Sequence, residues 1–259
     1  MGESQKNRMN WKEKGAELKR VLSLKTEPIG VKRVEKISDL DAMPNVVRWD
    51  QGATFCQMPY IARSLGMTIA ITSEGGAFDR CKRLHGLLPV TDESMKEGAE
   101  MLATTWMPNV EEAMQQQRDY PRIKVKEATV LGPLSDDIEP DAVVVFGNPA
   151  QLMMLMCGMQ KIKYECFEFQ FVGEGACTDS LTKCLATGKA SLAIPCYGER
   201  AFGQVTDDEL VIALPPEDLD RALEGLAILG QVGMSYPILQ TGGTSDPMPI
   251  LKTVYPDAR

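Results

Sequence analysis

The sequence predicts a single compact domain of the α/β or α+β class, built from strand–helix units on a mixed sheet. Short apolar runs are bounded by turn residues, one strand–helix plan occurs twice, and no Gly/Ser-rich linker or low-complexity tract divides the chain. A chain of 259 residues that is 44% hydrophobic is long enough to bury a large core. We expect one domain over residues 1–259, with a globular core at 10–235 and an irregular tail at 236–259.

The first half of the chain predicts alternating helices and strands. Residues 10–23 carry Leu18, Val21 and Leu22 on one face of an amphipathic helix. Pro28 and Gly30 end this helix and open a short strand from Ile29 to Val34. The remaining elements predicted in this half are a helix at 53–65, a strand at 67–72, a helix at 91–103 with an acidic first turn, and a helix that starts at Pro108.

The second half contains a weak internal repeat. Asp136-Asp137 precedes an apolar strand at 142–146 and then a helix that begins with a proline. Asp207-Asp208 precedes a strand at 210–214 and a second helix of the same kind at 217–229. The continuous apolar runs favour strands that are buried on both faces. Further strands are predicted at 123–131 and 191–194.

Composition and charge exclude several classes of function. The net charge is −8 and the chain holds one histidine, so neither a basic nucleic-acid footprint nor a two-histidine metal site is expected. No apolar stretch is long enough to cross a membrane, and the N-terminal residues lack the apolar core of a secretory signal. We therefore expect a cytoplasmic protein without a membrane or nucleic-acid partner, whose cysteines are reduced and available for metal binding or catalysis.

The seven cysteines divide into two groups by their sequence context. Cys56 stands at a predicted helix start, Cys177 in a Gly-rich turn before a helix, and Cys196 just after a strand. Ligand and catalytic residues often gather at such element ends, and a helix N-terminus favours the thiolate. Because cysteine is among the most buried residue types, a packing role stays open for each of them. Packed thiols are expected at Cys157, Cys166 and Cys184.

His85 is the single candidate for a proton carrier at neutral pH. It follows Cys81 by four residues, so a helix would place the imidazole and this thiol one turn apart. Arg80, Lys82 and Arg83 would then lower the pKa of Cys81. The alternative is a solvated histidine near the C-terminus of a helix.

An ordered set of short motifs resembles the bacterial and archaeal family called domain of unknown function 169. The motifs lie at 28–32, 55–56, 81, 140–149, 175–179, 195–200 and 207–210, so the resemblance covers roughly residues 15–230. It implies four selected cysteines: Cys56, Cys81, Cys177 and Cys196. It also suggests an anaerobic setting. The basic segment 82–86 departs from the Pro-Gly-Gly-like turn that often follows the second cysteine in this family.

Three functions are consistent with these residues. In the first, the four selected cysteines bind an iron–sulfur cluster, or zinc as the alternative, in redox or small-molecule chemistry. Tyr197, Arg200 and His85 would lie nearby, with Arg200 suited to a carboxylate or phosphate. In the second, Cys177 or Cys56 is a nucleophile and His85 carries its proton. In the third, the Met-rich run at 152–159 lines the pocket of a non-catalytic ligand-binding protein. A small-molecule ligand or a redox partner is expected, and the sequence specifies no oligomeric state.

Overall fold

The computed structural model describes residues 9–240, 243 and 246–257. A seven-stranded sheet has the order β2-β3-β4-β1-β5-β7-β6. The strands are β1 (Ile29–Val34), β2 (Val47–Arg48), β3 (Ile69–Thr72), β4 (Ala128–Pro133), β5 (Ala142–Gly147), β6 (Ser191–Ala193) and β7 (Leu210–Leu214). The helices are α1 (Trp11–Leu22), α2 (Gln57–Leu65), α3 (Asp79–Leu84), α4 (Asp92–Ala103), α5 (Val110–Asp119), α6 (Pro149–Ile162), α7 (Lys183–Thr187), α8 (Tyr197–Ala201), α9 (Pro216–Gln231) and α10 (Met248–Val254).

The sheet is mixed, which confirms the predicted α/β class. Strand β2 runs parallel to β3, and each of the other paired strands is antiparallel to its neighbour. The two strands of the predicted repeat, β5 and β7, lie side by side in antiparallel register, with Val143 opposite Leu214. The repeat therefore builds an antiparallel pair of strands, each followed by a helix.

The central strands are buried on both faces because successive side chains point in opposite directions. Val143 and Val145 of β5 pack with residues of α1, α6 and α9 on one face, which we call the helical face. Val144 and Phe146 point to the opposite face, where a second core includes Phe55 and Met58. We call this opposite side the cysteine face, because Cys81, Cys177 and Cys196 pack against its core.

The Met-rich run lies in α6 and packs against α9. Met154 and Met159 are buried in the core of the helical face, whereas Met153 is partly exposed. The two helices approach closely at Gly158 and Gly225, where a Cβ added to Gly225 would lie 1.8 Å from the Gly158 carbonyl oxygen. This run is therefore mainly part of the packed core.

Several predicted segments differ from the structure: the helix predicted at 53–65 begins at Gln57, and the strand predicted at 67–72 begins at Ile69. Strand β4 begins at Ala128 rather than at residue 123, because its partner β1 ends at Val34, opposite Ala128. The segment expected to be an irregular tail contains the short helix α10. No helix in the described ranges has the length and apolar character needed to cross a bilayer.

Candidate functional site: a buried cysteine cluster

Four separate segments bring cysteines to the same side of the sheet. Cys56 immediately precedes α2, Cys81 lies within α3, and Cys196 immediately precedes α8. Cys177 immediately precedes a π-helical turn, Thr178–Thr182, that continues into α7. All four thiols are partly buried. Each thiol therefore lies at an element end or in a short helix, where the backbone can direct it toward a shared site.

The four thiols interact with one another. Cys177 and Cys196 both lie close enough to Cys56 to shift the pKa of its thiol, in opposite directions. Cys81 raises the pKa of Cys177 electrostatically, and Cys196 does the same to Cys81, so these thiols are near one another. We call Cys56, Cys81, Cys177 and Cys196 the cysteine cluster. The four cysteines that the resemblance selected are thus neighbours in the folded chain.

A glycine leaves space beside two of these sulfur atoms. A Cβ added to Gly198 would lie 3.4 Å from the sulfur of Cys56 and 3.9 Å from that of Cys196. These are ordinary van der Waals distances, so the position is open to an atom in contact with both sulfurs. The absence of a side chain at Gly198 therefore leaves room at the cluster.

His85 is buried, with 2% of its surface exposed, and it contacts Cys177. Its Nε2 lies 3.3 Å from the Cys177 sulfur, and its Nδ1 lies 3.0 Å from the Thr182 hydroxyl oxygen. That hydroxyl donates to the Leu84 carbonyl oxygen at 3.2 Å, so its oxygen is left to accept from Nδ1–H. This assignment leaves Nε2 as the acceptor for the Cys177 thiol. The ring also stacks on Phe55, with centroids 3.5 Å apart.

Local spacing predicted Cys81 as the partner of His85, whereas the nucleophile hypothesis paired His85 with Cys177 or Cys56; the structure places the imidazole against Cys177. His85 does follow Cys81 by one helical turn, and its backbone N–H donates to the Cys81 carbonyl oxygen. The imidazole, however, points away from its own helix toward the segment that contains Cys177. The solvated alternative is also wrong, because the ring is buried.

Burial lowers the pKa of the imidazole, and contacts among the thiols together with burial raise the pKa values of the cysteines, so all of these groups are uncharged near neutral pH. Burial lowers the pKa of His85 to about 3, with a smaller contribution from Arg33. The hydrogen bond with Cys56 lowers the pKa of Cys177, but burial and nearby Glu199 outweigh it and raise this pKa to about 11. The hydrogen bond with Cys177 raises the pKa of Cys56, and the hydrogen bond with Cys56 raises that of Cys196.

The expectation that neighbouring basic residues activate Cys81 is wrong. Burial raises the pKa of Cys81 and exceeds the opposing effect of Arg80. Lys82 is directed elsewhere, since its ammonium group contacts the Ser73 carbonyl oxygen and Asp79. The segment that replaces the family's flexible turn continues as helix α3 up to Leu84.

Sequence reasoning did not single out Glu199, which lies beside the cluster. Its residue exposure is 2%, and its Oε2 has no hydrogen-bond partner in the part of the chain described. Burial raises the pKa of Glu199 to about 7, although the Cys196 backbone N–H donates to its carboxylate. Its position three residues after Cys196, which precedes α8, is the position of the acidic residue in a capping box. That spacing is the sequence signal that could have identified it.

Tyr197 and Arg200 have their functional groups away from the thiols. Tyr197 is 65% exposed, and its ring lies 5.6 Å from that of Trp106. The Arg200 guanidinium donates to the Thr206 carbonyl oxygen at 2.8 Å and lies 3.4 Å from Asp207. Both residues are on α8 next to Cys196, but their polar atoms contact surface groups.

The three other cysteines lie outside the cluster. Cys184 is buried in the core of the cysteine face, and Cys157 is partly buried against the core of the helical face. Cys166, expected to be a packed thiol, is exposed. It belongs to the stretch 164–172, which forms neither helix nor strand and therefore offers no regular packing surface.

The donor set of the cluster has the chemistry that soft metals prefer, namely thiolate sulfur. Within the described ranges, no three His, Cys, Asp or Glu side chains are positioned to hold one metal ion. A single tetrahedral ion needs its ligands around one point. The described side chains therefore form no preassembled site for a single metal ion.

The fold and site define a mixed α/β protein with a buried group of thiols on one face of its sheet. The chain belongs to the family domain of unknown function 169, described as uncharacterised ArCR, whose model matches residues 17–225. It is also similar to an uncharacterised protein of Methanocaldococcus jannaschii, with 30% identity over 114 residues. That match covers 42% of this chain and 49% of the relative, so it spans about half of each protein. No solved structure matches the chain.

Proposed function

We propose that the cysteine cluster binds an iron–sulfur cluster that serves redox or small-molecule chemistry, in a cytoplasmic protein. The observation that carries this proposal is the meeting of four thiols from four chain segments. Cysteine thiolates are the usual ligands of such clusters, and four of them suit a [4Fe–4S] centre. Zinc is the alternative metal.

Three features of the surroundings support a bound metal centre. The carboxylate of Glu199 is buried with an unpartnered Oε2, and a buried polar group of this kind is costly without a partner. The buried thiols disfavour their own negative charge, which a bound metal would compensate. Gly198 leaves open space beside the sulfurs of Cys56 and Cys196.

The test is anaerobic reconstitution of the whole chain with ferrous iron and sulfide, followed by metal analysis and a visible absorption spectrum. We expect bound iron and sulfide, together with sulfur-to-iron charge-transfer absorption. Cys56→Ser, Cys81→Ser, Cys177→Ser and Cys196→Ser should each lower iron content strongly. Cys184→Ser and Cys166→Ser are matched controls outside the cluster and should keep it. Binding of zinc but not iron would select the alternative metal, whereas absence of both metals, or iron retained in all four variants, would contradict the proposal.

A cysteine nucleophile is the second candidate, and the 3.3 Å contact between His85 and Cys177 favours it. In this function, Nε2 would take the proton of the Cys177 thiol as its sulfur attacks. Both groups are neutral at pH 7, so the pair is not a preformed ion pair. We expect alkylation of metal-free protein by iodoacetamide at Cys177 to rise with pH beyond pH 9. A plateau near neutral pH that is lost in His85→Gln would favour the nucleophile over the metal centre.

A further inference from the structure

A second candidate site is a cavity of about 460 Å³ between α3, α4 and the end of α5. This volume is within the range of small-molecule sites in proteins. Part of its wall is apolar, formed by Phe78, Leu84, Val90, Met95 and Met101. Arg80, the residue before Cys81, lines the cavity, whereas Cys81 itself does not.

Three arginines give the cavity its polar wall: Arg80, Arg83 and Arg122. Arg80 is held in place, because its guanidinium donates to the Tyr120 hydroxyl at 3.0 Å and lies 3.9 Å from the Glu174 carboxylate. The Arg83 side chain has no hydrogen bond or ion pair to any residue that the structure describes. A cation with this freedom is available to a ligand.

The charge of the lining favours a single negative charge on the ligand. The acidic residues that line the cavity are Asp79 and Glu97, both of them exposed. Set against three arginines, they leave one net positive charge. Guanidinium groups bind carboxylates through paired hydrogen bonds, and the apolar wall accommodates a hydrocarbon body.

We propose that this cavity binds an organic monocarboxylate with an apolar body. The carboxylate is held by Arg83, and the hydrocarbon part lies against the methionines of α4. This site is separate from the cysteine cluster, so the test of this proposal does not depend on what the four thiols bind.

The test is calorimetric titration of the whole chain with hexanoate, octanoate and decanoate, each compared with the alcohol of the same length. We expect saturable binding of at least one carboxylate, and binding of its alcohol weaker by roughly tenfold or more, since hydrogen bonds to charged groups are stronger. Equal binding of acid and alcohol, or binding of neither, would overturn the proposal. Octyl phosphate binding more tightly than octanoate would overturn the assignment to carboxylates.

Arg83→Gln tests the residue that the proposal assigns to the anion. It should weaken carboxylate binding by roughly tenfold and leave alcohol binding unchanged, because it removes charge and keeps a polar side chain. Arg118→Gln on α5 is the matched control, since Arg118 is exposed and does not line the cavity. Thermal unfolding of both variants checks that the fold is intact. Equal affinities in the two variants would show that the anion is not bound here.

Discussion

On the helical face of the sheet, α1, α6 and α9 cover β5 and β7 with aliphatic side chains. On the cysteine face, the core of the same strands is adjoined by thiols, a buried imidazole and a buried carboxylate. Polar groups of this kind are costly to bury, and a hydrocarbon core would be simpler to fold. The comparison indicates that the helical face serves stability, whereas the cysteine face retains groups that are suited to chemistry.

The largest effect should come from the helical face, at Gly225. Its Cβ in Gly225→Ala would lie 1.8 Å from the Gly158 carbonyl oxygen, so α6 and α9 would have to separate. We expect a loss of about 3 kcal/mol or more in the free energy of unfolding, measured by urea denaturation.

The same substitution at Gly230, also in α9, is the matched control. Nothing lies within 4 Å of a Cβ added there, and alanine is the better helix former by about 1 kcal/mol. Gly230→Ala should therefore be neutral or stabilising. Similar losses in both variants would contradict the close packing of α6 on α9.

The next effect is a pH dependence on the cysteine face, in metal-free protein. Burial raises the pKa of Glu199 from 4.5 to about 7, so the folded state binds more protons than the unfolded state in this interval. This residue therefore makes the wild-type protein less stable as pH rises from 4.5 to 7. Glu199→Gln removes the titration, and its stability relative to wild type should increase by up to about 3 kcal/mol across that interval.

Urea denaturation at several pH values measures this difference. Glu224→Gln is the control, since Glu224 is exposed on α9 and its replacement should leave the wild-type pH dependence unchanged. If the Glu199→Gln and wild-type curves run parallel between pH 4.5 and 7, the carboxyl group of Glu199 is not buried as described.

The smallest effect should come from Thr182→Val. It removes the hydroxyl that connects the Leu84 carbonyl oxygen with Nδ1 of His85 and leaves both groups buried without this partner. We expect a loss of about 1–2 kcal/mol in unfolding free energy. Thr187→Val, at an exposed position of α7, should cost much less. Equal costs would argue against a buried hydrogen bond at His85.

Local sequence patterns predicted the bounds of several helices and strands well. Strand β1 has the predicted bounds Ile29–Val34, and α4 begins after its Thr91 cap as the acidic first turn indicated. The start of β4 could not be predicted, because it depends on where the partner strand ends. Likewise, the repeat predicted two strand–helix units but not that their strands would be antiparallel neighbours.

The candidate site was predictable only in part. Element ends selected Cys56, Cys177 and Cys196, and the resemblance added Cys81. The partner of His85 could not be read from local spacing, because Cys177 is 92 residues away in the chain. Burial also outweighs the expected lowering of the Cys81 pKa by Arg80, and the extent of burial depends on the whole fold.

The stacked imidazole has a practical consequence for spectroscopy. Because the chain holds one histidine, the ring proton resonances of His85 can be assigned without any variant. The ring current of Phe55, stacked 3.5 Å away, should displace these resonances from their usual positions. A paramagnetic centre among the thiols would broaden the same signals. One imidazole thus provides a built-in reporter for the Cys177 side of the cluster in solution.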